Sequence, residues 1–264
     1  MSSDATRVEQ HPKGKANSMG YMRRVFIVLW CTVTLIILSI GAVVFVVVGA
    51  LTLFRARRLY NEHMARWMSR VLLRQWGVRI RVHRPYPWPT GQVVYVSNHD
   101  SSLDVFVLTG LGLPNCRFFL SGWLRKVLPV GIIATVMGTF FTVPQNYPEK
   151  RARIFTRATR ALAASGESVY LSPEGTRVTT GEIGHFNKGS FHIATVLGAP
   201  IVPFYIKTAP SINPGKSYDI GAGTVHVYFM PQISTTGWKV DDLVDNTSAV
   251  RRAFLRFHEE HRDG

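Results

Sequence analysis

From Val25 to Phe54, thirty consecutive residues carry no charge. As one helix this run reaches about 45 Å, against about 30 Å for the hydrocarbon core of a bilayer. It is too long for the apolar part of a signal peptide, and no clear small-residue cleavage site follows it. The competing reading is a helix buried in a soluble core. The length and the absence of any charge favour a membrane-embedded segment over residues 23–58, after a disordered basic tail over residues 1–22. Lys13, Lys15, Arg23 and Arg24 precede the run and Arg55, Arg57 and Arg58 follow it. Positive charge at both ends selects no orientation. One tilted span and a hairpin bent near Gly41 or Gly49 both satisfy the sequence.

The remaining residues must suit a chain of 264 residues with a net charge of +15 and a pI near 10.3. Such a balance calls for an acidic partner, either nucleic acid or an anionic membrane surface. Thirty uncharged residues fit anionic membrane lipids and leave nucleic acid without support. The two cysteines, Cys31 and Cys116, are far apart, and Cys31 lies inside the apolar run. That argues against a disulfide framework and for a reducing compartment. Residues 59–75 read as an interfacial amphipathic helix. Met64, Trp67, Met68, Val71 and Leu72 share one side, and Arg66, Arg70 and Arg74 recur on another. A helix packed on the domain with a solvated basic face is the alternative.

Residues 76–264 read as one α/β domain, a mixed and mostly parallel sheet flanked by helices. Strands are expected within Trp76–Arg84 and at Val93–Val96, Ser168–Leu171, Ile201–Lys207 and Thr224–Met230. Helices are expected over Glu149–Ala164, Lys188–Leu197 (stopped by Gly198) and Ser248–His261.

Two polar clusters follow strand-like runs. Asn98-His99-Asp100-Ser101-Ser102-Leu103-Asp104 puts His99 at a strand end and Asp104 in the first turn of a helix that Ser101 or Ser102 would cap. A carboxylate folded back onto one imidazole nitrogen fixes the tautomer and stabilises the imidazolium, which makes His99 a candidate general base. The plainer reading is that both residues only satisfy the turn. Ser172-Pro173-Glu174-Gly175-Thr176-Arg177 is the second cluster. In open α/β sheets ligands bind outside the carboxyl ends of strands, so two such clusters on one edge suggest one site.

These residues carry a family resemblance. Asn98 to Asp104 resembles the His-x4-Asp box of the glycerolipid acyltransferases, which include bacterial 1-acylglycerol-3-phosphate acyltransferases. Ser172 to Arg177 resembles their Pro-Glu-Gly-Thr-Arg box, Phe186-Asn187-Lys188-Gly189 their Phe-x-Lys-Gly block, and Pro200-Ile201-Val202-Pro203 their last short block. One box alone is weak, but four in the right order over residues 76–230 are specific. The resemblance implies a membrane-bound O-acyltransferase that moves an acyl group from acyl-CoA or acyl carrier protein to a lysophospholipid acceptor. The acceptor would be 1-acylglycerol 3-phosphate, the product phosphatidic acid, and no cofactor would be needed. By resemblance His99 and Asp104 are catalytic, while Glu174, Gly175, Thr176 and Arg177 bind the acceptor. Lys188 would add positive charge for the same headgroup, and Ser101 and Ser102 have no nucleophile role. The expected location is a bacterial-type inner membrane, with the active site facing the cytoplasm.

The sequence departs from the family in one important place. Gly138-Thr139-Phe140-Phe141-Thr142-Val143 matches a further box, but Pro144 stands where its phosphate-binding arginine is expected. Arg151 and Arg153 of the next helix are the candidate substitutes. Otherwise the acceptor is a lyso-aminolipid, or the reaction is a phospholipid transacylation. From other classes, a lipid hydrolase would use the same base on water, and an inert scaffold would use none of it. His185 and His192 are read as packing or solvated residues. A metal site on His99, Asp104 and Glu174 is disfavoured because no second histidine lies at a short spacing.

Overall fold

The computed structural model describes residues 14–213 and 220–261, with the backbone alone for 14–24. Helix α1 (Gly14–Leu51) passes through Gly41 and Gly49 unbroken, so the chain does not turn back at either glycine. It starts at Gly14, inside the stretch expected as tail, because no proline separates Lys15 from the run and helical bonding propagates upstream. Residues 1–13 of that expected tail lie outside the described residues.

The chain reverses at Leu53 and Phe54, whose φ values are 52° and 54°. A π-helix (Leu59–Ala65) and α2 (Arg66–Gln75) then run back along α1. At the far end Gln75 Nε2 donates to the Trp30 carbonyl at 3.2 Å, and Trp76 Nε1 donates to Thr34 Oγ1 at 3.1 Å. At the near end the Phe45 and Tyr60 rings meet at 6.4 Å, and the Thr52 and Tyr60 hydroxyls are hydrogen-bonded. Leu38, Ala42 and Phe45 are buried by this packing, whereas Leu29, Ile36, Ile40, Val43 and Val47 stay exposed. Residues 59–75 are helical, but their inner face includes Ser69 and Leu73, and Trp67 is 71% exposed. Contacts with the next helix rotate it: Ser69 Oγ meets Thr109 Oγ1 at 2.5 Å and Arg70 Nε donates to the Gly110 carbonyl at 2.9 Å.

Seven strands form one sheet: β1 (Val78–His83), β2 (Val94–Ser97), β3 (Cys116–Ser121), β4 (Phe140–Thr142), β5 (Ser168–Leu171), β6 (Ile201–Lys207) and β7 (Gly223–Phe229). Their spatial order is β1-β7-β6-β2-β5-β3-β4. All neighbours are parallel except β6 and β7, so β2 to β6 point one way and β1 with β7 the other. The central strands β2 and β5 are buried at every position, as their unbroken apolar sequences require for strands covered on both faces.

Alternate side chains of each strand feed two cores. Tyr95, Phe118, Tyr170 and Phe204 face α1, α2, α3 (Asp104–Leu111) and α4 (Leu128–Val136). Val94, Val96, Val169 and Leu171 face α5 (Pro148–Ser165), α6 (Gly189–Leu197) and α7 (Leu243–His261). Helix α7 begins before the expected Ser248, since no breaker intervenes and Leu243 is itself buried. The two layers are tied at one corner. Arg57 donates to both Glu167 oxygens at 2.7 and 3.1 Å, and Arg117 lies 3.7 Å away. Burial works to raise the Glu167 carboxyl, but these partners overcome it and hold it below the usual carboxylate range.

Candidate active site

The carboxyl ends of β2 and β5 are adjacent, because the two strands pair in parallel with Val96 opposite Leu171. The chain leaving β2 is held first by Asn98. Its side chain accepts from the Ile206 amide at 2.8 Å and donates to the Ile206 carbonyl at 2.9 Å, replacing a rung of the sheet just where β2 turns away. His99 follows immediately. Its amide donates to Glu174 Oε2 at 2.6 Å and its carbonyl accepts from the Val178 amide at 2.8 Å. Backbone anchors on both sides therefore set where the imidazole starts.

Asp104 sets where it points. Its Oδ2 lies 2.6 Å from His99 Nδ1 and also accepts the amides of Asp100 and Ser101, each at 3.1 Å. The Asp104 side chain is 1% exposed and that of His99 is 30% exposed. A carboxylate with three donors on one oxygen favours the tautomer with hydrogen on Nδ1, leaving the Nε2 lone pair available. Among the described residues Nε2 has no hydrogen-bond partner. The expected serine cap is different in detail. Helix α3 starts at Asp104, and Ser101 Oγ accepts from the Leu103 amide at 3.0 Å while donating to Asn213 Oδ1 at 3.3 Å. The serine hydroxyl is thus engaged in its own turn, not with the imidazole.

Glu174 is 4% exposed, and both its oxygens are used by backbone amides, His99 at 2.6 Å and Gly184 at 2.8 Å. Burial pushes its carboxyl above the usual range, and the two amides only partly offset this. The next residues behave differently. Gly175, Thr176, Arg177 and Lys188 are exposed. Gly175 has φ of +71°, and a Cβ there would sit 3.2 Å from both Asn187 Nδ2 and Gln145 Nε2. The expected site residues therefore separate into a buried group (Asp104 and Glu174), a half-open His99, and an exposed cationic rim.

Several supporting residues were not visible in the sequence. Asn187 ties the second cluster, donating from Nδ2 to the carbonyls of Pro173 at 2.9 Å and Glu174 at 3.0 Å. Its place within the Phe186–Gly189 block was the available signal. Arg251 of α7 fixes the loop under Glu174, donating to Gly184 and Ile183 carbonyls at 2.6 and 2.8 Å. No local pattern announced it. Asp100 is pushed up to about 8, first by burial and then by the charges of Asp104 and Glu174. Among the described residues its buried Oδ1 has no hydrogen-bond partner.

The two candidate substitutes for the missing arginine diverge. Arg151 is half-buried, with Nη1 donating to the Val143 carbonyl at 2.8 Å and to Thr142 Oγ1 at 3.2 Å. It thus sits at the carboxyl end of β4, directly before Pro144. Arg153 turns to solvent and pairs with Glu149 at 3.5 Å.

Residues 79–207 match the family model named Acyltransferase. The 1-acyl-sn-glycerol-3-phosphate acyltransferase alpha of Ovis aries is 27% identical over 212 residues, covering 80% of this chain and 74% of that protein. The chloroplastic 1-acyl-sn-glycerol-3-phosphate acyltransferase BAT2 of Brassica napus is 29% identical over 251 residues, covering 93% and 70%. The crystal structure of the 1-acyl-sn-glycerophosphate acyltransferase PlsC of Thermotoga maritima superimposes with a TM-score of 0.71 at 21% identity, over 92% of this chain and 98% of that one, which shows a shared fold. With both polar boxes on one sheet edge and these relatives in agreement, residues 79–207 form an acyltransferase domain and the chain is an O-acyltransferase.

Proposed function

We propose that the protein acylates the free hydroxyl of 1-acylglycerol 3-phosphate from a thioester donor, giving phosphatidic acid. The observation that carries this is the 2.6 Å contact between His99 Nδ1 and Asp104 Oδ2, with Nε2 left open on a strand-end edge. His99 Nε2 takes the acceptor hydroxyl proton as that oxygen attacks the thioester carbonyl. The tetrahedral adduct collapses, the carbon–sulfur bond breaks, and the imidazolium returns its proton to the leaving thiolate. Asp104 stabilises the imidazolium between these steps. Attack is direct, since Ser101 is committed to Leu103 and Asn213. Glu174 acts as a positioning residue through the His99 amide.

Arg177 and Lys188 form the exposed cationic rim for the headgroup, and Arg151 takes the part of the cation missing at Pro144. A guanidinium already held by one Nη on Val143 offers its remaining N–H groups as a fork suited to phosphate.

The membrane reading follows from packing. Helix α1 has one stretch, Val25–Leu51, long and apolar enough to cross a bilayer by length and composition. Its contacts with Gln75 and Trp76 tie residues 30–34 to the end of α2. A perpendicular span would drag Arg66, Arg70 and Arg74 through the hydrocarbon core, at a cost of several kcal/mol each. We infer instead that α1 lies along one leaflet. Its exposed apolar side then faces the acyl chains, joined by Trp123, Leu128 and Ile132 around α4, which are 59%, 73% and 39% exposed. The acceptor reaches the site from the leaflet.

The test is acylation of a lysolipid panel by membranes containing the protein, with radiolabelled donor. Phosphatidic acid should form from lysophosphatidate, with kcat falling about 10³-fold in His99→Ala. Arg151→Ala should raise the acceptor KM about tenfold, where Arg153→Ala should not. Label in another lipid would overturn the acceptor assignment, and released fatty acid without ester formation would make the protein a hydrolase.

A further inference from the structure

One cavity is not used by this chemistry. It lies at the β1 edge, holds about 480 Å³, and is lined by His83, Arg84, Tyr228, Phe257 and His261, among others. Among the described residues no carboxylate lines it. The rings around it are unusually flat to one another. His83 stacks on Tyr228 at 4.3 Å and 10°, His83 on His226 at 5.2 Å and 13°, and Phe257 on His261 at 3.8 Å and 12°. His83 Nε2 and His226 Nδ1 share a hydrogen bond at 2.9 Å, which locks the imidazoles edge to edge.

Register explains the grouping. Arg81 pairs with His226 and His83 with Tyr228, while Lys207 and Tyr205 of β6 pair with the same two β7 residues. All these side chains therefore share the α7 face of the sheet. The result is a slot with aromatic walls beside Arg81, Arg84 and Lys207. Aromatic walls suit a planar ring with a π-face, and a cationic rim suits phosphate. A purine nucleotide has both.

We propose that this cavity binds the nucleotide end of acyl-CoA, which makes CoA the carrier of the donor thioester. The inference rests on the thioester-dependent acyl transfer proposed above. From β1 to β2 are three strand spacings, about 14 Å. The pantetheine arm of CoA spans such a gap, so the adenine can sit at β1 while the thioester reaches His99. Tyr205 lies between the two ends, with its ring 5.5 Å from Phe257 and its hydroxyl 2.8 Å from His258 Nδ1. The slot also lies on the face opposite α1, where a water-soluble donor arrives without crossing lipid.

The experiment compares acyl-CoA with the acyl thioester of phosphopantetheine, which lacks the nucleotide, using wild type, Tyr228→Ala and Arg84→Ala. Each variant should raise KM for acyl-CoA about tenfold, the size of one lost base-stacking or phosphate contact, and leave kcat and the phosphopantetheine KM unchanged. Adenosine 3′,5′-bisphosphate should compete with acyl-CoA and not with the shorter donor. An equal KM rise for both donors, or no competition, would overturn the proposal. So would equal competition by ATP, which would make the slot a general nucleotide site. Direct binding of radiolabelled adenosine 3′,5′-bisphosphate to wild type, weakened in both variants, reads the cavity without turnover. Failure to acylate any lysolipid while this binding persists would sink the proposed reaction and keep the nucleotide site. No binding would sink the site alone.

Discussion

The two faces of the sheet are built to different specifications. On one, α1 and α4 bury only part of their apolar surface and leave Ile40, Val43, Val47 and Leu128 uncovered. On the other, α5, α6 and α7 bury the centre of the sheet around Phe186, Phe191 and Phe254, and α5 presents Arg153, Arg157 and Arg160 outward. One face is closed over its centre by the protein itself, and on the proposed membrane placement the other is completed by acyl chains. The proposed catalytic edge lies between them. An enzyme that joins an insoluble acceptor to a soluble donor needs such an arrangement, because each substrate then approaches from the phase in which it dissolves.

The sharpest way to break this contrast is to put charge on the uncovered face. Ile40→Asp with Val43→Asp should lower partitioning onto vesicles by about three orders of magnitude or more, since each carboxylate opposes burial in hydrocarbon by about 2.5–3.5 kcal/mol. Equivalent changes at Arg153 and Arg157 should weaken only the preference for anionic vesicles. Co-sedimentation measures both, and equal losses on the two faces would abolish the distinction. A second comparison concerns the cores. Phe254→Ala should cost about 4 kcal/mol by denaturant titration, the full penalty of a large cavity. Ile40→Ala, on the exposed side of α1, should cost about 1 kcal/mol or less in membranes, because lipid tails are as apolar as the side chain removed. Similar costs would mean that α1 does not face lipid.

The smallest effect sharpens the edge itself. Folded Asp100 keeps its proton up to about pH 8, whereas the unfolded chain releases it near pH 4. Between those values the folded state binds more protons, so this group makes stability fall as pH rises. Asp100→Asn should flatten that slope and raise stability above pH 8, as read from melting temperature across pH. An unchanged slope would assign the repulsion elsewhere.

Much of this was legible in the sequence because the information is local. Strands β1, β2, β5, β6 and β7 announce themselves by alternation or by short β-branched runs, and the His99–Asp104 pair needs only five positions to close. The stretch from Cys116 to Thr142 was harder. Leu128–Val136 is apolar throughout, with no period to tell a helix from a strand, since one side meets the core and the other, with Leu128 and Ile132, is exposed. Thr34 was equally silent. A single hydroxyl in an apolar run gives no hint that Trp76, 42 positions later, will donate to it. The Arg251 bond to the loop that seats Glu174 spans 67 positions and follows only from the topology.

That contact between Trp76 and Thr34 has a kinetic meaning. A hydrophobic anchor joined by a floppy tether would let the enzyme roam above the membrane and meet its lipid by chance collisions in three dimensions. With α1 lying along the leaflet as proposed, the anchor is bolted to the catalytic body, so the search runs in a plane. The concentration that governs turnover is then the mole fraction of lysolipid in the leaflet. Diluting the vesicles with buffer leaves it unchanged, and diluting them with inert lipid slows the reaction.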